Sequence, residues 1–154
     1  MGYLISPPKF KNSVSAAIRA QCWFAPTLNV EIAQRFLDRH ESKTWISAQI
    51  NELDHRHNLL MSVLGEFNIK LIQGSYHAWL VLPEPWRALE FQSHLLASGI
   101  RVLSSESFAV GRFPAPQAIR ISLSGPETIE KLEKGLNIIK KRLDDGYDSH
   151  QSVF

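Results

Sequence analysis

Apolar residues recur along much of this chain with the spacing of amphipathic helices. The clearest pattern begins near Thr44, where apolar residues return every three or four positions and one imidazole falls in the same row. Its members are Ile46, Ile50, Leu53, His57, Leu60, Leu64 and Phe67. This spacing predicts one long helix with a continuous apolar stripe. The charged Glu52, Asp54 and Arg56 fall mostly off that stripe.

After Phe67 the pattern changes from helical to extended. Two short apolar runs, 69–71 and 77–82, predict paired strands around Gly74. A helix through Leu89 and Leu95 should end at Gly99, because glycine is favoured just beyond a helix C-terminus.

The rest of the chain continues this alternation. Residues 100–103 and 118–123 predict two more strands, and 127–143 predicts a last amphipathic helix. The order from Ile46 onward is therefore helix, two strands, helix, two strands, helix. It indicates an α/β or α+β unit, with a small, mostly antiparallel sheet covered by helices on one face.

The first 40 residues have weaker patterns. The run 3–5 predicts a brief strand that two prolines close. One helix is expected from about Lys9 to Arg19, and Thr27 is suited to cap a second one.

Composition limits the classes of protein that remain. The 154 residues are 44% hydrophobic, which is enough for one ordinary domain. Basic and acidic residues number 17 and 15 and are well mixed, which argues against direct nucleic-acid binding by this segment. The single cysteine, Cys22, fits a reducing compartment. No segment approaches the about 18 apolar residues of a membrane span, so we expect a cytoplasmic protein without membrane contact.

Four segments together match the pattern of a known family. They are 2–7 (GYLISP), 74–86 (with GSYHAWL and LPEPW), 99–111 (with GIRV and SFAVG) and 119–125 (IRISLSG). Their order and spacing resemble the end of a pyridoxal-phosphate-dependent, fold-type I (class I/II) aminotransferase domain. The LPEPWR run after a G-x-YH-x-WL strand is most similar to the MocR-type regulators of the GntR group. These regulators fuse a winged-helix DNA-binding domain to such an aminotransferase-like domain.

The resemblance implies a division of the chain into three parts. Residues 1–41 would be the tail of the large cofactor-binding domain, and 42–145 the C-terminal small domain. Residues 146–154 would be a flexible tail. In family dimers the segment like Trp23-Phe24-Ala25-Pro26 lies close to the neighbouring subunit's active site. A homodimer through residues 1–40 is therefore expected, and the alternative is that this segment is an exposed hydrophobic patch.

The resemblance also implies that catalytic groups of the family are missing here. In the family the cofactor-bearing lysine lies in a Ser-x-Ser-Lys stretch, shortly before Arg-x-Gly-Tyr. Here Met1 directly precedes Gly2-Tyr3, and no lysine of the chain has that context. Without a Schiff-base lysine the chain should bind no pyridoxal phosphate covalently. Whether it takes part in an enzyme is left open, and no catalytic or cofactor-binding residue is expected within it.

Arg120 is the main candidate for ligand binding. By resemblance it matches the small-domain arginine that binds the α-carboxylate of an amino-acid substrate. A planar guanidinium can donate two parallel hydrogen bonds to a carboxylate. Phe108 and Gly111 resemble a loop that closes over the substrate near that arginine, and the alternative for Phe108 is an anchor for a proline-rich loop. His77 and Trp79 should share one face of their strand, with Tyr76 on the other, and core packing is their expected role.

A metal site is not expected. His55 and His57 are two positions apart on a helix and point to different faces, so they cannot easily share one ion.

Two hypotheses follow. The first is a C-terminal segment of a MocR-like regulator or aminotransferase whose small domain helps to bind an amino-acid carboxylate. The residues do not decide whether the parent transaminates or only senses its ligand. The second is a stand-alone, non-catalytic ligand-binding or interaction module with the same fold. DNA upstream of Met1 that encodes the Ser-x-Ser-Lys and Arg-x-Gly-Tyr segments would favour the first.

Overall fold

The structure is a computed structural model that describes residues 4–151, with side chains described as far as residue 146. The chain divides into two compact units after Ala48. The first unit contains a 3₁₀ turn at Pro8–Phe10, helix α1 (Lys11–Cys22) and helix α2 (Thr27–Asp38). Helix α3 (His40–Leu64) begins in the first unit and ends in the second.

The first unit has little buried surface. Neither α1 nor α2 contains a buried residue, and Trp23 and Phe24 are 72% and 63% exposed. The ring centroids of Phe36 and Trp45 lie 5.7 Å apart in an edge-to-face contact. Several large apolar side chains of this unit are therefore open to solvent. The predicted division at 1–41 stays a prediction.

Two sequence predictions for this unit are wrong. Leu4 and Ile5 are exposed and belong to no strand, while the remaining residue of that predicted strand, Tyr3, lies outside the described residues. Thr27 is the first residue of α2 and not its cap. Pro26 occupies the cap position, where no side chain can accept a hydrogen bond from the helix.

We expect limited proteolysis to remove residues from the first 40 before it cuts the second unit. Cleavage requires an accessible backbone that can open locally, and α1 and α2 lack the buried contacts that oppose opening. Mass spectrometry of a trypsin time course would identify the first stable product. Equal amide protection from residue 4 to residue 146 would contradict this expectation.

The second unit is organised by a four-stranded antiparallel sheet. Its strands are β1 (Ile69–Leu71), β2 (His77–Val81), β3 (Leu103–Ser104) and β4 (Ala118–Ser122), in the order β1-β2-β4-β3. Helix α4 (Ala88–Ala97) connects β2 to β3, and helix α5 (Ile129–Gln151) follows β4. The predicted fold class and element order are confirmed.

One continuous hydrophobic core joins α3, α4 and α5 to one face of the sheet. Its largest fully buried residues are Leu60, Leu64, Leu80, Phe91, Leu95, Ile119, Leu123, Leu136, Ile139 and Leu143. The predicted stripe of α3 is buried only from Leu53 onward, and Ile46 and Ile50 are exposed.

A buried arginine joins α3 to the loop after β4. Arg56 is 8% exposed, and its Nη1 donates to the carbonyl oxygens of Leu123 (2.7 Å) and Pro126 (2.8 Å). Its Nε donates to Glu52 Oε1 at 2.8 Å. These bonds satisfy the carbonyls of Leu123 and Pro126 and compensate the buried charge.

The strand predicted at 100–103 is shorter than expected because its first residues terminate α4. Gly99, with φ +79°, donates its N–H to the Leu96 carbonyl, and Ile100 donates to the Leu95 carbonyl. This pair of bonds is a Schellman motif, with the predicted glycine at its left-handed position. The last helix is longer than predicted and reaches Gln151, so the tail predicted at 146–154 is helical as far as the structure describes it.

Candidate functional site

The sheet face opposite the helices carries the candidate site. In β2, Ala78 and Leu80 point into the core, whereas His77 and Trp79 are half-buried on the other face. In β4, Ile119 and Ile121 are buried in the core. Because side chains alternate along a strand, Arg120 lies on the same face as Trp79, its direct cross-strand partner.

Arg120 forms a compact cluster with two aromatic rings. Its guanidinium carbon lies 4.7 Å from the ring centroid of Phe108. The rings of Phe108 and Trp79 are 5.3 Å apart and inclined at 72°. This arrangement attracts the cation to an aromatic face and restricts its side-chain rotation.

The loop that carries Phe108 is closed at its base. Residues Ser105–Phe108 form a 3₁₀ turn directly after β3. Ser105 is buried, and its hydroxyl donates to the carbonyl of Pro116 at the other end of the loop. Gln117 next to it accepts a hydrogen bond from the Ala88 N–H at 2.7 Å. These bonds hold the loop so that Phe108 stays over β4.

Within residues 4–146 the guanidinium of Arg120 has no hydrogen bond and no ion pair with an acidic side chain. A half-buried arginine without a carboxylate partner is unusual, because partial desolvation of a charge is unfavourable unless it is compensated. The cluster can therefore accept a carboxylate from another molecule.

Arg120 also affects the neighbouring His77. Burial lowers the pKa of His77 from its ordinary value of 6.5, and the positive charge of Arg120 lowers this pKa further. Both causes favour the neutral imidazole in the folded protein.

Because the folded pKa of His77 is depressed, the unfolded state binds a proton more readily than the folded state below pH 6.5. The contribution of His77 to stability is thus complete above that pH and declines as the pH falls toward the folded pKa. We expect the His77 ring protons to titrate below 6.5 by NMR, and Arg120→Gln to raise their midpoint. Lys134→Gln, which removes an exposed charge from α5, provides the control. An unchanged His77 midpoint in Arg120→Gln would show that the two groups are not coupled.

The candidate residues from the sequence are only partly brought together. Phe108 and Arg120 are in contact, whereas Gly111 lies further along the loop with φ +85° and makes no hydrogen bond to the cluster within the described residues. The expectation that His77 and Trp79 pack in the core is wrong, since Ala78 and Leu80 are the buried residues of β2. The alternation in YHAWL correctly put His77 and Trp79 on one face, but the register between β2 and β4 is what places Trp79 beside Arg120.

The histidines of α3 have separate environments. His57 is buried, and its Nε2 lies 2.8 Å from the carbonyl oxygen of Ser75, to which it donates. Among the described residues, no group of three or more His, Cys, Asp or Glu side chains could hold a metal ion.

No helix in the described range combines the length and apolar content that crossing a bilayer requires.

Comparisons with known proteins are consistent with this fold. No protein-family model matches the chain. Over 145 residues, or 94% of its length, the chain is 26% identical to YdeF, an HTH-type transcriptional regulator of Bacillus subtilis described as uncharacterized, and covers 31% of that protein.

Several solved aminotransferases share the fold. The multiple substrate aminotransferase of Thermococcus profundus superposes with a TM-score of 0.71 at 17% identity, over 92% of this chain and 36% of that one. LysN, an α-aminoadipate aminotransferase of Thermus thermophilus complexed with N-(5′-phosphopyridoxyl)-L-leucine, gives 0.70 at 14% identity, over 92% and 37%. The kynurenine aminotransferase of Pyrococcus horikoshii gives 0.69 at 15%, over 90% and 35%.

The chain thus has the fold of the C-terminal part of an aminotransferase, and its sequence is similar to that of an HTH-type transcriptional regulator. The resemblance that the four motifs predicted, to the aminotransferase-like part of a MocR-type regulator, is confirmed. The chain spans only about a third of the length of the proteins that it matches.

Proposed function

We propose that this chain is a segment of an aminotransferase-like transcriptional regulator, in which Arg120 binds the carboxylate of an amino-acid-type ligand. The observation that carries the proposal is the Arg120 guanidinium, held against Phe108 and without an acidic partner in residues 4–146. The whole regulator would act in the cytoplasm and use the bound ligand to control transcription.

The contact with Phe108 suits carboxylate recognition. The guanidinium carbon lies over the Phe108 ring at 4.7 Å, and the planar guanidinium can donate two parallel bonds to a carboxylate. Phe108 removes water from one side of the charge, which strengthens the attraction to an anion. The aromatic rings of Phe108 and Trp79 also provide an apolar surface beside the charge for the rest of the ligand.

Pyridoxal phosphate is proposed for the whole protein and not for this chain alone. The cofactor would supply an electrophilic carbon for an amine, and a lysine must hold it. Lys70 of β1 lies opposite Trp79 and so shares the face of Arg120. The other lysines among the described residues belong to the first unit or to α5. None of them has the Ser-x-Ser-Lys context, so we place the cofactor lysine in the remainder of the parent.

We expect no specific covalent cofactor adduct with this chain. Mixed with pyridoxal phosphate, it should give no stoichiometric aldimine absorbance band and no single borohydride-trapped lysine by mass spectrometry. Lys70→Gln is the informative variant and Lys134→Gln the control, since Lys134 is exposed on α5. A stoichiometric band that is lost only in Lys70→Gln would show that the chain holds the cofactor by itself.

We also propose that residues 1–40 contribute to a homodimer of the parent. Their exposed apolar side chains, above all Trp23 and Phe24, support this because large exposed apolar residues commonly mark interfaces. A partner surface would remove them from water.

The test of the proposed function is a ligand titration of a longer relative that has an arginine at the position of Arg120. Loss of amino-acid affinity on its substitution supports the proposal. Unchanged affinity would leave the alternative, a non-catalytic interaction module with this fold.

A further inference from the structure

A cleft of about 390 Å³ lies on the helix-covered side of the sheet, away from Arg120. It is bounded by residues 99–102 on one side and by α5 on the other. The cause is the short β3 strand. The N–H groups of Gly99 and Ile100 donate to carbonyls of α4, so the chain joins the sheet only at Leu103. This leaves a gap beside β4.

The floor of this cleft is apolar and belongs to the core. It is formed mainly by buried residues: Val102, Ile121, Leu132, Leu136 and Ile139. Gly135 of α5 also lines the cleft. A Cβ at this position would stand 3.7 Å from Cδ1 of Ile100, so a larger side chain here would extend into the space between the two walls.

Two cationic side chains, Arg101 and Lys131, line the cleft, and among the described residues no acidic one does. Lys131 is paired with Glu127, so its charge is partly compensated. Arg101 is exposed and has no ion pair within residues 4–146. The charge at the cleft therefore favours an anion, and Arg101 is the better placed group to bind one.

We propose that this cleft binds a small amphipathic carboxylate, with its hydrocarbon chain on the apolar floor and its carboxylate at Arg101. The volume falls within the range of known small-ligand sites, about 300–1,000 Å³. An apolar interior with a few charged groups at its edge is also the usual composition of such sites. This site is separate from the Arg120 cluster and does not depend on the proposed function.

The probe for this site is octanoate, titrated into the full 154-residue chain and followed by amide NMR shifts. We expect saturable shifts confined to residues 99–102 and 131–139. Arg101→Gln should weaken binding about fivefold, as is typical for one charge pair near the surface. Lys134→Gln removes the same charge from an exposed position on α5 outside the lining and should leave affinity unchanged.

A second variant tests the apolar part of the site. Gly135→Leu should abolish binding by filling the cleft, while Gly135→Ala should retain the fold because its Cβ meets only an ordinary contact. Octan-1-ol should bind more weakly than octanoate. Equal binding of the alcohol, full affinity in Gly135→Leu, or shifts that map to residues 4–48 would each overturn the proposal. No saturable binding at all would show that the cleft is a packing gap or is covered by another protein segment.

Discussion

Replacement of Arg56 by alanine should destabilise the second unit by about 3 kcal/mol. The substitution leaves the carbonyl oxygens of Leu123, which is fully buried, and Pro126, which is half-buried, without their donor. It also removes a side chain that is 8% exposed and leaves a void beneath the loop. Urea unfolding followed by circular dichroism would measure the change. Arg56→Lys should recover only part of the lost stability, since an ammonium cannot donate in the planar geometry of the guanidinium.

A matched control separates burial from the helical ion pair. Arg35 donates through Nε to Glu31 at 2.7 Å, four positions earlier, just as Arg56 does to Glu52, but its side chain is 78% exposed. Arg35→Ala should therefore cost less than about 0.5 kcal/mol. Glu52→Ala keeps both carbonyl bonds of Arg56 and should also have a small effect. If Arg56→Ala and Arg35→Ala lowered the free energy of unfolding equally little, the carbonyls of Leu123 and Pro126 would be hydrogen-bonded to water in the variant, which contradicts the prediction.

Replacement of the arginine equivalent to Arg120 in a longer relative should weaken binding of a carboxylate ligand by about 2–4 kcal/mol, or roughly 30- to 1,000-fold. A two-bond, partly desolvated charge pair is lost. Lysine at this position should restore only part of the affinity, because it keeps the charge but not the paired donors. Isothermal titration with candidate amino acids would measure both effects.

Two controls apply to this prediction: the stability of the Arg120→Ala chain and the ligand affinity of an Arg112→Ala variant. Within the described residues Arg120 makes no hydrogen bond, so Arg120→Ala in the present chain should cost no more than the contact with Phe108, about 1 kcal/mol. Arg112→Ala removes an exposed charge from the loop after Phe108 and should leave ligand affinity unchanged. Equal affinity in the alanine and lysine variants and the wild type would show that Arg120 is only a strand arginine.

From α3 onward, the pattern of apolar residues predicted the order of the elements and the side-chain alternation in β2. The period of three to four residues in α3 and α5, and the glycine after α4, are local signals that arise from backbone geometry. In β4 the alternation of side chains is seen in the structure, with Ile119 and Ile121 in the core and Arg120 on the opposite face.

Other features depended on contacts between residues distant in sequence. Arg56 falls off the apolar stripe of α3, yet it is buried because the loop after β4 presents two carbonyls to it. Trp79 was expected in the core because its side chain is large and apolar. Strand register and the closure of the loop that carries Phe108 instead place it beside Arg120 and Phe108.

The limits of β3 had a similar origin. The sequence predicted a strand from residue 100. The N–H of Ile100 instead donates to the Leu95 carbonyl at the end of α4, so it is not available to the sheet. The pattern along the chain predicted the elements from α3 onward, because each depends on residues a few positions apart. Which polar groups are satisfied and where a cleft remains depend on long-range packing, which the pattern does not contain.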